Sequence, residues 1–218
     1  METNFEEKRE KLVEFLSEHV LTNVEIKKAF LKVNRENFIK NIFSKYAYVD
    51  HALPINCKQT ISQPSTIALM LELLELKKTI TVLEIGSGSG YVLALLSNIV
   101  GKKGKIYGVE FEKLLVNDSE KNIEKEKLKN IEIKKGDGAE GWEEKAPFDR
   151  IIISCACPFI PKTLFHQLKE KGKIIAPVGD EETQVLEIIS KENGKPLKKS
   201  YANMLFAFVP LRGKHGFR

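Results

Sequence analysis

The sequence has few cysteines and no long apolar run, and each shortage excludes a class of protein. Three cysteines among 218 residues cannot all pair, so a disulfide framework is excluded and we expect a reducing, cytoplasmic location. No apolar run approaches the ~20 residues of a membrane span. The first ten residues are charged and do not resemble a signal peptide. The sequence therefore predicts no membrane partner.

The cysteines and histidines also lack the spacing of a metal site. Zinc needs about four ligands at recognisable intervals, and no motif brings His51, His166 or His215 to the pair of neighbouring cysteines. We therefore predict that the protein binds no metal. Cys155 and Cys157 are expected to be buried, inert thiols.

Charge of one sign is not in large excess either. The sequence contains 35 lysines and arginines and 30 acidic residues, which gives a formal net charge of +5. Opposite charges alternate along residues 124–129. Interleaved charge is typical of a solvated helix face, so it does not predict a nucleic-acid partner. With 42% hydrophobic residues, the length suits a single domain with a sizeable core. We expect one domain over residues 1–218 and a monomer.

Hydrophobic periodicity divides this domain into two parts. Residues 1–78 form a predicted helical part with two helices within residues 6–38, an irregular stretch at 43–63 and a third helix from Ser65 to about Lys78. An irregular stretch of this length in a small domain is often functional. The N-terminal part is therefore expected to supply a helical cap and a loop that binds substrate or cofactor.

Residues 79–218 alternate between predicted strands and helices. This order is typical of an α/β fold with a mostly parallel central sheet and helices on both faces. An Asn-Gly pair between two strand-like segments, 184–191 and 201–211, predicts a closing antiparallel hairpin. The strands are predicted at residues 81–86, 105–110, 131–136, 149–155 and 173–178, and the helices at 90–100, 113–128 and 161–169.

A glycine-rich turn between a predicted strand and a predicted helix is the most informative motif. Gly86, Gly88 and Gly90 alternate with serines, and glycine lets the backbone approach a ligand closely. A dinucleotide fingerprint would place its third glycine at Tyr91, so the motif argues against NAD. Gly-x-Gly-x-Gly shortly after Glu84 is instead similar to the S-adenosylmethionine loop of Rossmann-like class I methyltransferases. A tight turn without a ligand is the alternative.

Acidic and small residues follow the neighbouring strands. In a parallel sheet the ligand lies at the carboxyl ends of the strands, so these residues are expected to meet the glycine loop. Glu110 comes about 20 residues after the glycines, where an acid can bind ribose hydroxyls, or it is an exposed strand-end acid. Asp137, beside Gly138, could accept a hydrogen bond from the adenine amino group or cap a turn. Residues 154–158 complete the predicted cluster.

Further motifs resemble the protein-L-isoaspartate O-methyltransferase family. The most specific is Gln-Thr-Ile-Ser-Gln-Pro at residues 59–64, because other methyltransferases do not carry it ahead of the glycine loop. The resemblance runs from about Phe30 to Leu211. Its other motifs are Ala-Leu-Pro-Ile at 52–55, Gly-Asp-Gly at 136–138, Gly-Trp at 141–142, Ala-Pro-Phe-Asp at 146–149, Ala-Pro-Val-Gly at 176–179 and Phe-Val-Pro-Leu at 208–211.

This resemblance implies transfer of a methyl group from S-adenosylmethionine to the α-carboxyl of L-isoaspartyl residues in damaged proteins. Ser62 would be the active-site serine, or alternatively a helix cap ahead of Pro64. The family pattern also assigns further residues to cofactor binding. These are Thr60, Ile61, Glu84, Gly86, Ser87, Gly88, Gly90, Glu110, Asp137, Gly138 and Gln184.

The chain departs from the family pattern at a few positions. Asn56-Cys57-Lys58 replaces the usual Gly-x-Gly ahead of the serine motif, and Ser65 stands where tyrosine or histidine is common. Two other functions stay open. A methyltransferase of RNA or a small molecule would be favoured if Lys58 and residues 212–215 formed a phosphate-binding face, and a non-catalytic paralogue would fit the altered loop.

Overall fold

The computed structural model describes residues 4–217 and contains a seven-stranded sheet with helices on both faces. A small antiparallel hairpin, whose strands β1 and β2 have two residues each, lies outside this sheet. The helices are α1 (Phe5–His19), α2 (Val24–Lys32), α3 (Pro64–Leu73), α4 (Tyr91–Val100), α5 (Lys113–Lys125) and α6 (Lys162–His166). The strands are β1 (Leu53–Pro54), β2 (Thr60–Ile61), β3 (Thr81–Ile85), β4 (Lys105–Glu110), β5 (Ile131–Lys135), β6 (Phe148–Ile153), β7 (Leu168–Gly179), β8 (Gln184–Glu192) and β9 (Lys195–Phe206).

The strand order creates a crevice beside the central strand. The order is β5-β4-β3-β6-β7-β8-β9, parallel from β5 to β7 and antiparallel from there to β9. From β3 the chain proceeds outward through β4 and β5 and then returns to pair β6 with the other side of β3. In open α/β sheets, ligands bind at the strand carboxyl ends beside such a reversal. The fold expected from the sequence is confirmed.

The two faces of the sheet are covered unequally. Apolar side chains from α1 to α5 pack in one cluster against the first face. The second face is covered by α6, the short turns after β5, the segment after β6 and the C-terminal segment, and Phe148, Leu164 and Leu168 are buried there. The helical N-terminal part therefore lies on one face, over the glycine-loop helix α4.

The terminal hairpin forms at the predicted turn. Asn193 and Gly194 both take positive φ angles, 52° and 73°, which tight hairpin turns between antiparallel strands require. Its second strand begins and ends earlier than the sequence predicts, at Lys195 and Phe206. The pairing with β8 then shifts between Leu186 and Gln184, so the chain bulges outward ahead of Phe206.

Two other boundaries, the end of α3 and the start of β7, differ from those predicted, and tertiary contacts lie at both. Helix α3 ends at Leu73 rather than near Lys78: Glu75 takes a left-handed φ angle of 52°, and buried Arg150 on β6 donates hydrogen bonds to the carbonyls of Leu74 (2.7 Å) and Glu75 (3.2 Å). Strand β7 begins at Leu168 rather than residue 173, because Leu168 pairs with Phe148 at the start of β6. Neither contact has a local sequence signal. Within residues 4–217 no helix combines the length and apolarity needed to cross a bilayer.

Candidate active site

The glycine loop has the conformation that its composition predicts. Gly86, Gly88 and Gly90 all take positive φ angles of 75°, 53° and 89°, which other residues adopt only with strain. Space is restricted as well. A Cβ atom on Gly90 would collide with the hydroxyl of Ser119, and one on Gly86 would lie 3.2 Å from the sulfur of Cys155. Backbone angle therefore favours glycine at all three positions, and packing favours it further at Gly86 and Gly90.

Glu110 lies at the end of β4 and is bound to the glycine loop. Its carboxylate accepts hydrogen bonds from the backbone N–H groups of Gly88 (2.8 Å) and Glu112 (2.9 Å). The side chain is buried. A carboxylate has about four acceptor positions, so two stay available for ribose hydroxyls. The alternative of an exposed strand-end acid does not fit this burial.

Glu84 is fully buried near the end of β3. Its Oε1 accepts a hydrogen bond from the hydroxyl of Ser154 (2.7 Å), whereas its Oε2 has no partner among the described residues. Burial raises the pKa of Glu84 to about 8, although the Ser154 hydrogen bond lowers it; the negative charge of Glu110 raises it further. A cationic ligand at this end of the strand would therefore relieve an unfavourable site.

The C-terminal segment passes over Asp137. One carboxylate oxygen of Asp137 caps the turn at Gly138–Glu140 by accepting from the Ala139 N–H (2.9 Å). The other accepts from the backbone N–H of Lys214 (2.7 Å). The capping alternative is thus realised in this structure, and each oxygen keeps a further acceptor position for adenine. Arg212 pairs with Glu112 at 2.5 Å beside the same cavity.

A cavity of about 60 Å³ lies between these elements. The cofactor residues predicted from the sequence divide into two groups around it. Those that line the cavity are Thr60, Gly86, Gly88, Glu110 and Gly138, together with Ser154 and Cys155. The remaining predicted residues do not line it: Ile61, Glu84, Ser87, Gly90, Asp137 and Gln184.

Two residues in the second group have structural contacts instead. Ile61 is buried and pairs with Leu53 in the short hairpin. Gln184 donates its amide N–H to the carbonyl of Asp180 (2.7 Å) and accepts from the N–H of Phe208 (2.8 Å). Gln184 therefore holds the segment that continues to the cavity wall at Val209.

Ser62 lines a larger cavity of about 600 Å³ beside the first. Thr60 and Val209 line both, so the two cavities adjoin at β2. The helix-cap alternative for Ser62 does not hold, since α3 begins at Pro64 and its N-cap residue is Gln63. The serine is therefore available to a ligand in the larger cavity.

The backbone around Ser62 is held from two sides. Buried Arg35 donates a hydrogen bond from Nη2 to the carbonyl of Ser62 (2.9 Å). On the other side, Asp50 accepts from the N–H of Ser65 and from the amide of Gln63, both at 2.8 Å. Neither Arg35 nor Asp50 was predicted as a site residue: Arg35 falls in the stretch 6–38 predicted as two helices, and Asp50 carries no motif within the irregular stretch 43–63.

The residues present fit S-adenosylmethionine. Closely packed glycines leave backbone exposed to a ligand, and Glu110 offers acceptors for a ribose. Glu84 Oε2 and the Ser87 hydroxyl are buried and have no hydrogen-bond partner in the described part of the chain, and polar groups left unsatisfied in a protein interior call for a partner. A cationic ammonium and sulfonium in the cavity would favour the ionised form of Glu84, which is hydrogen-bonded to Ser154 of the cavity wall.

A family model described as protein-L-isoaspartate(D-aspartate) O-methyltransferase matches residues 7–216. The chain belongs to this family. A relative from Pyrococcus horikoshii named protein-L-isoaspartate O-methyltransferase is 42% identical over 97% of this chain and 96% of its own length. One from Methanosarcina mazei with the same name is 41% identical over 100% of this chain and 88% of its own.

Solved structures of the family agree with the fold. A protein-L-isoaspartate O-methyltransferase superposes with a TM-score of 0.86 at 32% identity; the match covers 95% of this chain and 66% of that longer one. A Plasmodium falciparum chain assigned to the same activity superposes with a TM-score of 0.82 at 30% identity, covering 97% and 99%. That structure contains S-adenosyl-L-homocysteine. The predicted class, an S-adenosylmethionine-dependent methyltransferase, is confirmed.

The departures from the family pattern are visible in the loop ahead of Thr60. Cys57 and Lys58 take left-handed φ angles of 56° and 57°, the region that glycine occupies without strain. Of the two positions where the family pattern has glycine, Lys58 takes a left-handed φ angle and Asn56 does not. Asn56 supports the loop by donating a hydrogen bond to Asp118 on α5 (2.6 Å).

Two of the three cysteines lie next to the cavity region in the segment after β6. Among residues 4–217 no three side chains of His, Cys, Asp or Glu gather as ligands. Cys155 and Cys157 are buried, as the sequence predicts. Burial raises the pKa of the Cys155 thiol well above its usual value, so it stays neutral beside the cavity. A thiolate there would compete for a methyl group.

The buried Glu84 should make stability depend on pH. A carboxyl with a pKa near 8 when folded and near 4.5 when unfolded keeps its proton only in the folded state between these values. The folded state then binds more protons, so stability falls as pH rises, by up to about 1.4 kcal/mol per unit. Glu84→Gln cannot ionise and should lose this slope. Urea unfolding at pH 5, 6, 7 and 8 measures it.

A matched variant sharpens the comparison. Ser154→Ala removes the hydrogen bond that favours ionised Glu84 and should move the titration to higher pH. Parallel stability profiles for wild type and Glu84→Gln across this range would show that Glu84 titrates normally.

Proposed function

We propose that this chain methylates the free α-carboxylate of L-isoaspartyl residues in proteins and peptides, with Ser62 positioning the carboxylate. One observation carries the assignment of the site. The cavity that contains Ser62 adjoins the glycine-loop cavity at Thr60 and Val209. A carboxylate bound at Ser62 would thus lie next to the methyl donor. The roles of the individual residues are part of this proposal.

The cofactor-binding residues act through hydrogen bonds and charge. Glu110 would accept from the ribose hydroxyls, and Asp137 from the adenine amino group. Glu84, hydrogen-bonded to Ser154 of the cavity wall, would attract the cationic part of the ligand through its charge. The glycine loop would contribute backbone contacts, followed by the N-terminus of α4 at Tyr91. Thr60 would separate cofactor from substrate.

The reaction needs little acid–base chemistry from the protein. A carboxylate with an ordinary pKa near 4 is already ionised at pH 7, so no general base is required. S-adenosylmethionine supplies, when bound, an electrophilic methyl group: a carboxylate oxygen bonds to it, the sulfur–methyl bond breaks, and the electron pair stays on sulfur. Ser62 would hold the carboxylate in line and the cavity walls would exclude water. Such orientation can contribute on the order of 7–11 kcal/mol.

The larger cavity suits a peptide segment. Its volume of about 600 Å³ is within the usual range for ligand sites, and its walls combine polar residues of the serine motif with apolar residues of β9 and the segment that follows. Met204 and Leu205, at the outward bulge of β9, are exposed at 54% and 67% beside it. These side chains would contact residues that flank the isoaspartyl group.

The chemistry of the product distinguishes this function from methylation of RNA. Labelled methyl groups transferred to a carboxylate form esters, which alkali releases as methanol, whereas methyl groups on nucleobases survive alkali. We expect label from S-adenosylmethionine to enter an isoaspartyl peptide and to be released at alkaline pH. Alkali-stable label found only in RNA would contradict the proposal. The ester would then cyclise to a succinimide, which opens partly to normal aspartate, after leaving the protein.

No observation favours a second function. Arg212, which a phosphate-binding face in the C-terminal tail would use, is already paired with Glu112. The absence of a nucleic-acid partner, the monomeric state and the cytoplasmic location stay predictions.

Ser62→Ala tests the role of the serine. We expect about a 10-fold or greater loss in kcat for methyl transfer, since one orienting hydrogen bond is removed, with cofactor affinity within about 2-fold. Initial rates on an isoaspartyl peptide and calorimetry with S-adenosylmethionine measure the two. Ser17→Ala, which removes a hydroxyl bonded within α1, is the control. Equal activity of Ser62→Ala and wild type would leave the serine without a catalytic role.

A further inference from the structure

Arg35 is a fully buried cation that no sequence motif marks. It begins the short turn Arg35–Phe38 after α2 and has no exposed surface. Its Nη2 donates to the carbonyl of Ser62 at 2.9 Å. A side chain from the helical N-terminal part therefore bonds directly to the backbone of the proposed active-site serine.

The same guanidinium contacts the element that follows the glycine loop. Its central carbon lies 4.9 Å from the ring centroid of Tyr91, the first residue of α4, in cation–π contact. Tyr91 is held in turn by edge contacts with Phe30 and Phe38. Arg35 thus connects the backbone of Ser62, in the wall of the peptide cavity, with the first residue of the helix that follows the glycine loop.

Stability does not explain why an arginine is buried here. Its Nε and Nη1 have no hydrogen-bond partner among residues 4–217. Burial lowers the pKa of Arg35, although Tyr91, Tyr48 and Asp50 raise it, and an arginine keeps its charge in any case. Buried cations with unpaired donors reduce stability, and an apolar residue of similar volume is often better tolerated.

The orientation of the serine provides an explanation. Arg35 holds the carbonyl of Ser62, and Asp50 holds the next turn through Gln63 and Ser65. The peptide unit that carries Ser62 is thereby fixed on both sides. A misplacement of about 1 Å in a reacting group can lower a rate by ~100-fold, so fixing this unit has a kinetic value.

We propose that Arg35 is a positioning residue for methyl transfer, which fixes the Ser62 backbone so that its hydroxyl meets the substrate carboxylate beside the methyl donor. This inference rests on the proposed function. Because Arg35 acts through Ser62, its removal should lower kcat on isoaspartyl peptide while cofactor affinity stays near that of wild type.

Arg35→Met keeps the length of the side chain and removes its charge and donors. We expect kcat to fall about 10-fold or more, as for loss of an orienting hydrogen bond, and the Kd for S-adenosylmethionine to stay within about 3-fold. Arg35→Lys restores the charge and one donor and should recover part of kcat. If cofactor affinity falls as much as kcat, Arg35 acts at Tyr91 instead, and the proposal is overturned.

A double-mutant cycle with Ser62→Ala separates positioning from general structural support. Without the serine hydroxyl there is little left to position, so Arg35→Met should lower kcat by less than about 3-fold in the Ser62→Ala background. An equal effect in both backgrounds overturns the proposal. If Arg35→Met does not fold by circular dichroism, Arg35→Lys goes through the same cycle. A wild type inactive on isoaspartyl peptide overturns the proposed function and this inference together, whereas an active wild type with an additive cycle overturns this inference alone.

Discussion

An isoaspartyl peptide is expected to be methylated about 100-fold more efficiently, in kcat/KM, than the same peptide with aspartate. An isoaspartyl residue routes the backbone through its side chain, so its free carboxylate lies one methylene closer to the backbone nitrogen. The backbone at Ser62 is held by Arg35 and Asp50 and cannot shift to meet both geometries. The aspartyl carboxylate would therefore lie out of line with the methyl group.

Paired peptides that differ only at this residue measure the effect. Initial rates with labelled S-adenosylmethionine, at several peptide concentrations, give kcat/KM for each. A peptide with alanine at the same position provides the blank for other carboxyl groups. Equal efficiencies for the isoaspartyl and aspartyl peptides would contradict the substrate assignment but leave the cofactor site standing.

The Glu110→Ala variant is expected to bind S-adenosylmethionine about 30- to 150-fold more weakly, a change of about 2–3 kcal/mol. Two losses combine in this variant. Ribose hydroxyls would be buried without an acceptor, and the N–H groups of Gly88 and Glu112 would lose theirs, so the glycine loop would be less ordered. Calorimetric titration of the folded variant with the cofactor measures the affinity.

Two further variants control this measurement. Glu110→Gln keeps the volume and one acceptor oxygen, so its affinity should lie between those of wild type and Glu110→Ala. Glu132→Ala, on the neighbouring strand β5, removes an exposed acid paired with Lys145 and should leave affinity within about 2-fold. Unchanged affinity in a folded Glu110→Ala protein would remove Glu110 from the cofactor site.

Local sequence signals were sufficient for the fold class and for most elements. The glycine loop, the Asn-Gly turn and the strand–helix alternation each depend on neighbouring residues, because φ angles and periodicity are local properties. The prediction that α3 continues to Lys78 was wrong, because the end of this helix is in contact with a residue that is distant in the sequence. The carbonyls at its end, those of Leu74 and Glu75, accept hydrogen bonds from Arg150, which lies far along the chain on β6.

The site shows the same division. The sequence pointed to Glu110 and the glycines because a strand end and a turn place them. It did not show that Gln184 is occupied with Phe208, since that contact depends on how the C-terminal segment returns over the sheet. The role of Arg35 was equally hidden, because the turn after α2 meets Ser62 only when the N-terminal part packs on α4.

By itself, then, the sequence determined the α/β class, the position of the ligand loop and the family pattern that names its chemistry. Only the tertiary structure decided which side chains are buried, and burial controls their electrostatics. In the sequence, Glu84 is one acidic residue among 30. In the structure it is buried near the end of β3, one of its oxygens has no partner among the described residues, and burial raises its pKa to about 8. Moving a charged group out of water changes its free energy far more than the residues next to it in the sequence can. Which groups are buried is determined by packing between segments that are distant in the sequence.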